Sequence, residues 1–195
     1  MKTLNYLLAL SAFAAFAFTT PAENAEYTID ANQTTIVWTG AKVGGEHTGT
    51  ISVKEGGFTF EDDQLTGGTF VIDMNTITNT DLEGEYNGKL VGHLKSDDFF
   101  GVATYPTSKV VIKSVVAQGP GKYKVVADLT IKETTKEIKF PATVEVNNGT
   151  VTAKADITID RSEYDVRYGS GSFFDGLGDK VIYDDFSLAV TAVAK

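Results

Sequence analysis

Two histidines, His47 and His93, are the residues of this sequence best suited to bind a metal ion or to move a proton. Asp97 and Asp98 follow the second histidine closely, and two imidazoles with one carboxylate form a ligand set for divalent transition metals. Such a centre would activate water, and the corresponding function is a metal-assisted hydrolase that uses His47, His93 and Asp97. The sequence contains neither HxH nor HExxH, which would place two histidines together, so structural or solvent-facing histidines are the competing interpretation.

Other reactive groups are missing or lack the spacing that their chemistry needs. The chain has no Cys, which excludes disulfides, thiol catalysis, iron–sulfur clusters and thiolate zinc sites. The acidic runs at residues 61–63, 81–85 and 184–185 do not follow the ligand pattern of a helix-flanked calcium loop. The glycine-rich run at residues 169–172 lacks the Lys of a phosphate-binding loop. These searches favour a protein that is not an enzyme and that uses no metal or cofactor.

Composition limits the class of protein further. The 195 residues suit a single domain, and 42% hydrophobic against 22% charged residues argues against intrinsic disorder. The 26 acidic residues outnumber the 17 basic ones, which gives a net charge of −9. A protein that holds a phosphate backbone needs clustered Lys and Arg, so we expect no nucleic-acid partner.

The N-terminus has the three parts of a secretory signal peptide. Lys2 supplies a positive start, residues 4–18 are mostly apolar, and small and polar residues follow. Cleavage after Ala17 or after Ala22 would fit, so we assign residues 1–22 to the signal peptide and residues 23–195 to the mature domain. The apolar run is shorter than the about 20 residues that span a membrane, and no Cys follows it to carry a lipid anchor. We therefore expect a periplasmic or secreted protein that does not span a membrane.

Hydrophobic residues recur with period two from residue 27 onward, which predicts strands with one buried face. In the clearest run every second residue is apolar, so these side chains share one face of the strand: Tyr123, Val125, Ala127, Leu129 and Ile131. Similar runs occupy residues 138–146 and 151–159, and residues 147–149 (Asn-Asn-Gly) suit a tight turn between them. With a hairpin turn expected at residues 134–135, three consecutive strands form a meander.

The rest of the chain repeats this pattern with one interruption. Candidate inward positions are Ile36, Trp38, Ile51, Val53, Phe58, Phe60, Phe70, Ile72 and Met74, and, in the last strand, Ile182, Phe186, Leu188 and Val190. Glycine pairs at residues 44–45, 56–57 and 67–68 predict tight turns or bulges between strands. Residues 78–106 lose the alternation, and a short helical insertion is predicted around residues 86–100. The fold class is therefore all-β, a sandwich or a barrel, and closure into a barrel would remove exposed sheet edges.

Aromatic residues are abundant, with 12 Phe, 8 Tyr and 1 Trp, and two Phe pairs fall outside the strands. The pairs are Phe99 with Phe100 and Phe173 with Phe174. Adjacent exposed Phe side chains would favour aggregation, so we expect both pairs to be buried. They either plug the ends of an ordinary core or line an apolar pocket that holds a lipid.

Five segments of the sequence together form a specific pattern: residues 27–30 (YTID), the strand of Trp38 that leads to His47 and Gly49, residues 92–100 (GHLKSDDFF) with Tyr105-Pro106, residues 127–136, and residues 160–165 (DRSEYD). With these segments the chain resembles the YceI-like family of periplasmic polyisoprenoid-binding proteins. The resemblance covers nearly all of the chain after the signal peptide, and HLKSDDFF with its Tyr-Pro partner is its most specific part. The chain departs from the family pattern at residues 90–92 and 133–136.

The resemblance implies an eight-stranded antiparallel lipocalin-like barrel that binds or transports a polyisoprenoid or fatty-acyl chain without catalysis. The apolar lining is expected from Trp38, Phe60, Phe70, Ile72, Phe99, Phe100, Phe140, Phe173 and Phe174. The head group of the ligand is expected near Lys89, His93, Lys95 and Arg167. The predicted partner is a lipid-like small molecule, and a homodimer is compatible with the family although no feature of the sequence requires one. A further alternative is a stress-response structural protein whose barrel is filled by its own side chains.

Overall fold

The computed structural model describes residues 24–195, and the predicted signal peptide at residues 1–22 lies outside this part of the chain. The strands are β1 (Asn24–Thr28), β2 (Thr35–Lys42), β3 (Gly45–Glu61), β4 (Gln64–Asp73), β5 (Thr107–Gly119), β6 (Lys122–Ile131), β7 (Thr134–Asn147), β8 (Thr150–Asp160) and β9 (Ile182–Ala194). The helix α1 (Gly84–Lys95) and short 3-10 turns at Met74–Thr76, Arg161–Tyr164 and Gly178–Lys180 complete the regular structure of these residues.

Strands β2 to β9 close into a barrel in which every neighbouring pair is antiparallel. The order around the ring is β3-β2-β9-β8-β7-β6-β5-β4, and pairing between β4 and β3 completes the closure. Strand β1 lies beside the second half of β3, whereas β2 pairs with its first half, so β1 and β2 share one strand position. The predicted eight-stranded antiparallel barrel is confirmed, and its closure covers edges that an open sheet would expose.

The barrel forms because alternate side chains of its strands are apolar. In β6, the positions that the period-two pattern predicts to point inward are all buried: Tyr123, Val125, Ala127, Leu129 and Ile131. Val125 lies opposite Phe140 of β7, and Val144 of β7 lies opposite Ala153 of β8. These pairs confirm the predicted meander of three consecutive strands.

The hairpin between β6 and β7 turns two residues earlier than predicted. Ile131 pairs with Thr134, so the turn consists of Lys132 and Glu133, and residues 134–135 already belong to β7. Lys132 adopts a φ of 54°, in the left-handed region. The turn contains neither Gly nor Asn, so no residue type marks its position in the sequence.

The three glycine pairs have different roles. The pair at residues 44–45 lies at the turn between β2 and β3, as expected. The pairs at residues 56–57 and 67–68 lie inside β3 and β4, beside irregularities in the pairing of these strands. Gly56 has a φ of 145°, and a Cβ there would lie 2.2 Å from the carbonyl oxygen of Thr69. These glycines therefore accompany bulges within two paired strands and do not separate strands.

The two ends of the barrel carry different connections, because consecutive strands run in opposite directions. One end, which we call the helix end, holds the turns after β2 and β6 and two long excursions, residues 74–106 with α1 and residues 161–181. The opposite hairpin end holds the turns after β3, β5 and β7. Both long excursions therefore lie at the same mouth of the barrel.

Helix α1 lies across the helix end and is shorter than the predicted insertion. It ends at Lys95, where the N–H of Ser96 donates to the carbonyl oxygens of Gly92 and His93. One face turns to the barrel interior through Leu90, His93 and Leu94. The opposite face carries exposed glycines spaced four residues apart: Gly84, Gly88 and Gly92. None of the helices within residues 24–195 is long and apolar enough to cross a membrane.

Candidate functional site

The barrel interior encloses a cavity of about 460 Å³ that is lined by all the strands of the ring and by α1. This volume lies within the range of about 300–1,000 Å³ that small-molecule sites occupy. Of the side chains predicted to line the interior, six border this cavity: Trp38, Phe70, Ile72, Phe99, Phe100 and Phe140. The structural-protein alternative requires a barrel that is filled by its own side chains. The cavity shows that the interior is not filled in this way.

Three other predicted lining residues lie elsewhere. Phe60 is buried in the core of the barrel wall, where its ring centroid is 5.2 Å from that of Tyr27. Phe173 and Phe174 do not border the cavity and are 39% and 49% exposed. The guanidinium of Arg167 lies 4.9 Å from the centroid of the Phe173 ring and covers part of it. The expectation that both Phe pairs are buried is therefore wrong for the second pair.

Trp38 is fixed in the cavity wall by two neighbours. Its indole N–H donates to the carbonyl oxygen of Thr78 at 3.0 Å, which links β2 to the excursion before α1. A Cβ at Gly49 would lie 2.6 Å from the Trp38 ring and 1.9 Å from the same Thr78 oxygen. Only glycine fits at position 49, because the indole lies directly against the backbone of β3.

Three of the four residues predicted to hold the head group lie outside the cavity wall. Lys89 forms an ion pair with Glu85 one turn earlier on α1, with the nitrogen 2.7 Å from the carboxylate oxygen. Lys95 donates to the carbonyl oxygen of Asn75 at 2.7 Å. Arg167 pairs with Asp165. These cations are thus already engaged by neighbouring groups of the protein.

His93, the fourth, borders the cavity. Its ring packs edge-on against Phe99 and Tyr168, with centroid distances of 5.0 Å and 4.4 Å. Its Nε2 lies 3.4 Å from a carboxylate oxygen of Asp98. His93 therefore connects α1 with the segment that follows α1 and with the excursion between β8 and β9.

His47 also borders the cavity, at the start of β3. Its Nδ1 lies 2.8 Å from one carboxylate oxygen of Asp81, and the other oxygen accepts a hydrogen bond from the N–H of Thr48 at 2.8 Å. The hydrogen bond from His47 is the largest cause that lowers the pKa of Asp81 to about 2, and bonds from Thr48 and Asn79 add to it. Asp81 is therefore a carboxylate at neutral pH and holds the residues before α1 against β3.

The two histidines belong to separate pairs, His47 with Asp81 and His93 with Asp98. Asp97, the carboxylate named in the hydrolase hypothesis, is a partner of neither imidazole in these pairs. Within residues 24–195, no group of three or more His, Asp or Glu side chains is arranged to hold a metal ion. The geometry of the described residues thus lends no support to a metal-assisted hydrolase.

Arg161, which is not among the residues predicted from the sequence, borders the cavity at the end of β8 and is 3% exposed. Its guanidinium donates to the carbonyl oxygens of Val166, Ile182 and Tyr183 at 2.6, 2.9 and 3.2 Å. One of its nitrogens lies 3.3 Å from a carboxylate oxygen of Asp184. The only sequence signal for this residue is its place in the segment 160–165, which contributes to the family resemblance.

Comparisons with known proteins agree with this fold. The sequence model of the YceI-like domain matches residues 27–194. A UPF0312 protein of Shewanella denitrificans is 31% identical over 88 residues, which are 45% of this chain and 44% of that protein, so the match spans less than half of the relative. The crystal structure of BcnA from Burkholderia cenocepacia has a TM-score of 0.67 at 21% identity and covers 86% of this chain and 99% of that one.

A second solved structure is similar to the same degree. It is a polyisoprenoid-binding domain from Saccharophagus degradans implicated in plant cell wall breakdown. Its TM-score is 0.66 at 17% identity, and the match covers 87% of this chain and 97% of that domain. At these identities the two solved structures establish a common fold.

Proposed function

Because the chain belongs to the YceI-like family, as the match over residues 27–194 shows, we propose that it binds an elongated apolar ligand of the polyisoprenoid or fatty-acyl type inside the barrel. The observation that carries this proposal is the cavity of about 460 Å³, whose wall is predominantly apolar. The polyisoprenoid-binding domain of Saccharophagus degradans, which has the same fold, supports this class of ligand.

Hydrophobic transfer supplies the affinity that such a site needs. Each methylene group that moves from water into an apolar cavity gains about 0.8 kcal/mol. A chain of about ten methylene groups therefore gains about 8 kcal/mol before the cost of immobilising the ligand is subtracted. Aromatic walls formed by Trp38, Phe70, Phe99 and Phe140 suit a flexible hydrocarbon, because they offer large apolar faces without polar groups at the centre of the barrel.

The proposed place of action is the periplasm or the extracellular space, where the barrel would carry or store its ligand. This part of the proposal is supported by the predicted signal peptide at residues 1–22, which lies outside the described residues. The proposed role is binding without a chemical reaction. It is supported by the polyisoprenoid-binding domain of Saccharophagus degradans, which has the same fold.

Native mass spectrometry of the protein purified from its own host tests the proposal. We expect a complex that is heavier than the mature chain and that releases one apolar molecule when the protein is unfolded in organic solvent. Adding the extracted molecule back to stripped protein should raise the free energy of unfolding, by about 2.7 kcal/mol at a ligand concentration of 100 Kd. Protein that carries no such molecule, and whose stability does not respond to isoprenoid alcohols or fatty-acyl compounds, would contradict the proposal.

A further inference from the structure

A second, polar cleft lies at the helix end and is separate from the barrel cavity. Three parts of the chain that are distant in sequence border it: Tyr105 ahead of β5, residues 132–134 around the β6–β7 turn, and residues 162–165 after β8. None of these residues borders the barrel cavity, so the ligand proposed for the barrel does not account for them. Each part belongs to one of the five segments that carry the family resemblance.

The hydroxyl group of Tyr164 is the unusual feature of this cleft. Tyr164 is 1% exposed, and its side chain packs in a hydrophobic cluster with Leu129, Ile131 and Ile159. Its hydroxyl group has no hydrogen-bond partner among the residues that the structure describes. A buried hydroxyl group without a partner destabilises a protein, which points to a partner from outside the chain. Because Tyr164 borders the cleft and not the barrel cavity, such a partner would approach through the cleft.

The charged side chains of the cleft are mostly acidic: Glu133, Glu163 and Asp165 against Lys132. Two of these four residues are already engaged. Asp165 pairs with Arg167, and Nζ of Lys132 donates to the carbonyl oxygen of Asp165 at 3.3 Å. No basic side chain within residues 24–195 forms an ion pair with Glu133 or Glu163. Two carboxylates therefore remain open to a cation from solution.

The two tyrosines of the cleft keep their protons at neutral pH. Burial, and after it the charge of Glu163, raises the pKa of Tyr164 to about 12. Burial and the carboxylate of Glu133 likewise raise the pKa of Tyr105. A neutral hydroxyl group can accept a hydrogen bond from a bound cation and donate its own proton to a carboxylate. The cleft thus combines hydrogen-bond acceptors with negative charge.

We propose that this cleft binds the ammonium group of a small organic cation, with Glu133 and Glu163 as its counter-charges and the Tyr164 hydroxyl oxygen as a hydrogen-bond acceptor. A primary ammonium group carries three N–H donors and no acceptor, which suits two carboxylates and one hydroxyl oxygen. Within residues 24–195, no group of three or more His, Asp or Glu side chains is arranged to hold a metal ion, so an organic cation fits better. The inference does not depend on the proposed function, because the two sites share no residue.

The test is a titration of the ¹⁵N-labelled mature protein at pH 7 and low ionic strength, followed through its backbone amide resonances. The probes are ethylammonium, tetramethylammonium, which has the charge without N–H donors, and ethanol, which has the same carbon chain without the charge. We expect ethylammonium to shift the amides of residues 105, 132–134 and 162–165 and to bind at least about tenfold more tightly than the other two.

Three outcomes of this titration would overturn the inference. They are equal affinities of the three probes, shifts confined to residues outside the cleft, and tighter binding of Ca²⁺ than of ethylammonium to the same residues. The last outcome would identify a metal site in place of an ammonium site. None of them affects the proposal for the barrel.

Tyr164→Phe removes the hydroxyl group and keeps the ring. It should weaken the binding of ethylammonium about tenfold. The free energy of unfolding without ligand should stay unchanged or rise, because the hydroxyl group has no partner in the free protein. Tyr123→Phe, in the core of the barrel and away from the cleft, should leave the affinity unchanged.

Glu163→Gln separates a contact in the cleft from the general negative charge of the chain. It should weaken the binding of ethylammonium about fivefold. Glu145→Gln removes the same charge from an exposed position of β7 outside the cleft and should leave the affinity unchanged. Equal losses in these two variants would assign the binding to overall charge, and unchanged affinity in both Tyr164→Phe and Glu163→Gln would place the ligand elsewhere. Either result overturns the inference.

Discussion

The Nδ1 atom of His47 lies 2.8 Å from a carboxylate oxygen of Asp81, so the first residues of β3 are fastened to the segment that leads into α1. The side chains are 29% and 30% exposed, at the rim of the mouth. Asn87 of α1 donates to the carbonyl oxygens of Asn79 and Leu82 on either side of Asp81. The pair therefore sets where the helix begins relative to the cavity.

Asp81→Asn should make the protein less stable at neutral pH, and this loss of stability should become much smaller in acid. The His47 hydrogen bond holds the folded-state pKa of Asp81 at about 2, below its ordinary value of 3.8. The carboxylate therefore contributes its full stabilisation above about pH 4 and loses it as the pH falls toward 2. We expect a loss of about 1–2 kcal/mol in the free energy of unfolding at pH 7, measured by urea denaturation. Asp175→Asn, an exposed change, serves as the control, and a deficit of Asp81→Asn that stays constant from pH 7 to pH 2 would refute this explanation.

Ala155→Phe should fill part of the cavity and weaken ligand binding at least about tenfold. Ala155 of β8 borders the cavity and lies opposite Val190 of β9, whereas Ala189 of β9 lies on the outer, exposed face opposite Asp156. A phenyl ring at position 155 takes space from the ligand and also crowds its neighbours. Ala189→Phe adds the same group on the outside and should leave the affinity unchanged. Fluorescence displacement measures both variants, and equal affinities of the two would show that the ligand does not lie in the barrel.

Arg161→Met should destabilise the fold by about 3–5 kcal/mol, because it leaves three carbonyl oxygens and the Asp184 carboxylate without their buried partner. Arg167→Met removes an exposed guanidinium whose ion pair with Asp165 is open to solvent and should cost less than about 1 kcal/mol. Chemical denaturation of both variants measures the difference. A cost for Arg161→Met as small as that for Arg167→Met would mean that this buried cation does not hold the β8–β9 excursion in place.

Sequence periodicity was sufficient to predict the strands, because alternation in a strand reports directly which face is buried, whereas the choice of an eight-stranded barrel over a sandwich came from the family resemblance. The run from Tyr123 to Ile131 is an example, since each of its apolar positions is buried in the structure. The position of the β6–β7 turn was less predictable, because Lys132 adopts a positive φ that its residue type seldom takes. The helix boundaries were likewise approximate, since α1 buries no residue and so has only a weak amphipathic pattern.

The basic residues of the mouth were harder to predict than its aromatic ones. Lys89 and Lys95 attract attention in the sequence because they flank His93, but the structure pairs them with groups outside the cavity. Lys42 borders the cavity because it shares its face of β2 with Trp38. Its residue type points away from such a position, since Lys is seldom found in the interior of a protein.

The glycines inside α1 lower the cost of uncovering the mouth. Gly88 and Gly92 each lower helix stability by about 1 kcal/mol relative to alanine, and a Cβ at either position would meet no neighbouring atom, so no packing contact explains them. The neighbouring strands of the barrel, in contrast, are paired with one another around the ring. Local unfolding of α1 would therefore open the helix end without any strand leaving the sheet.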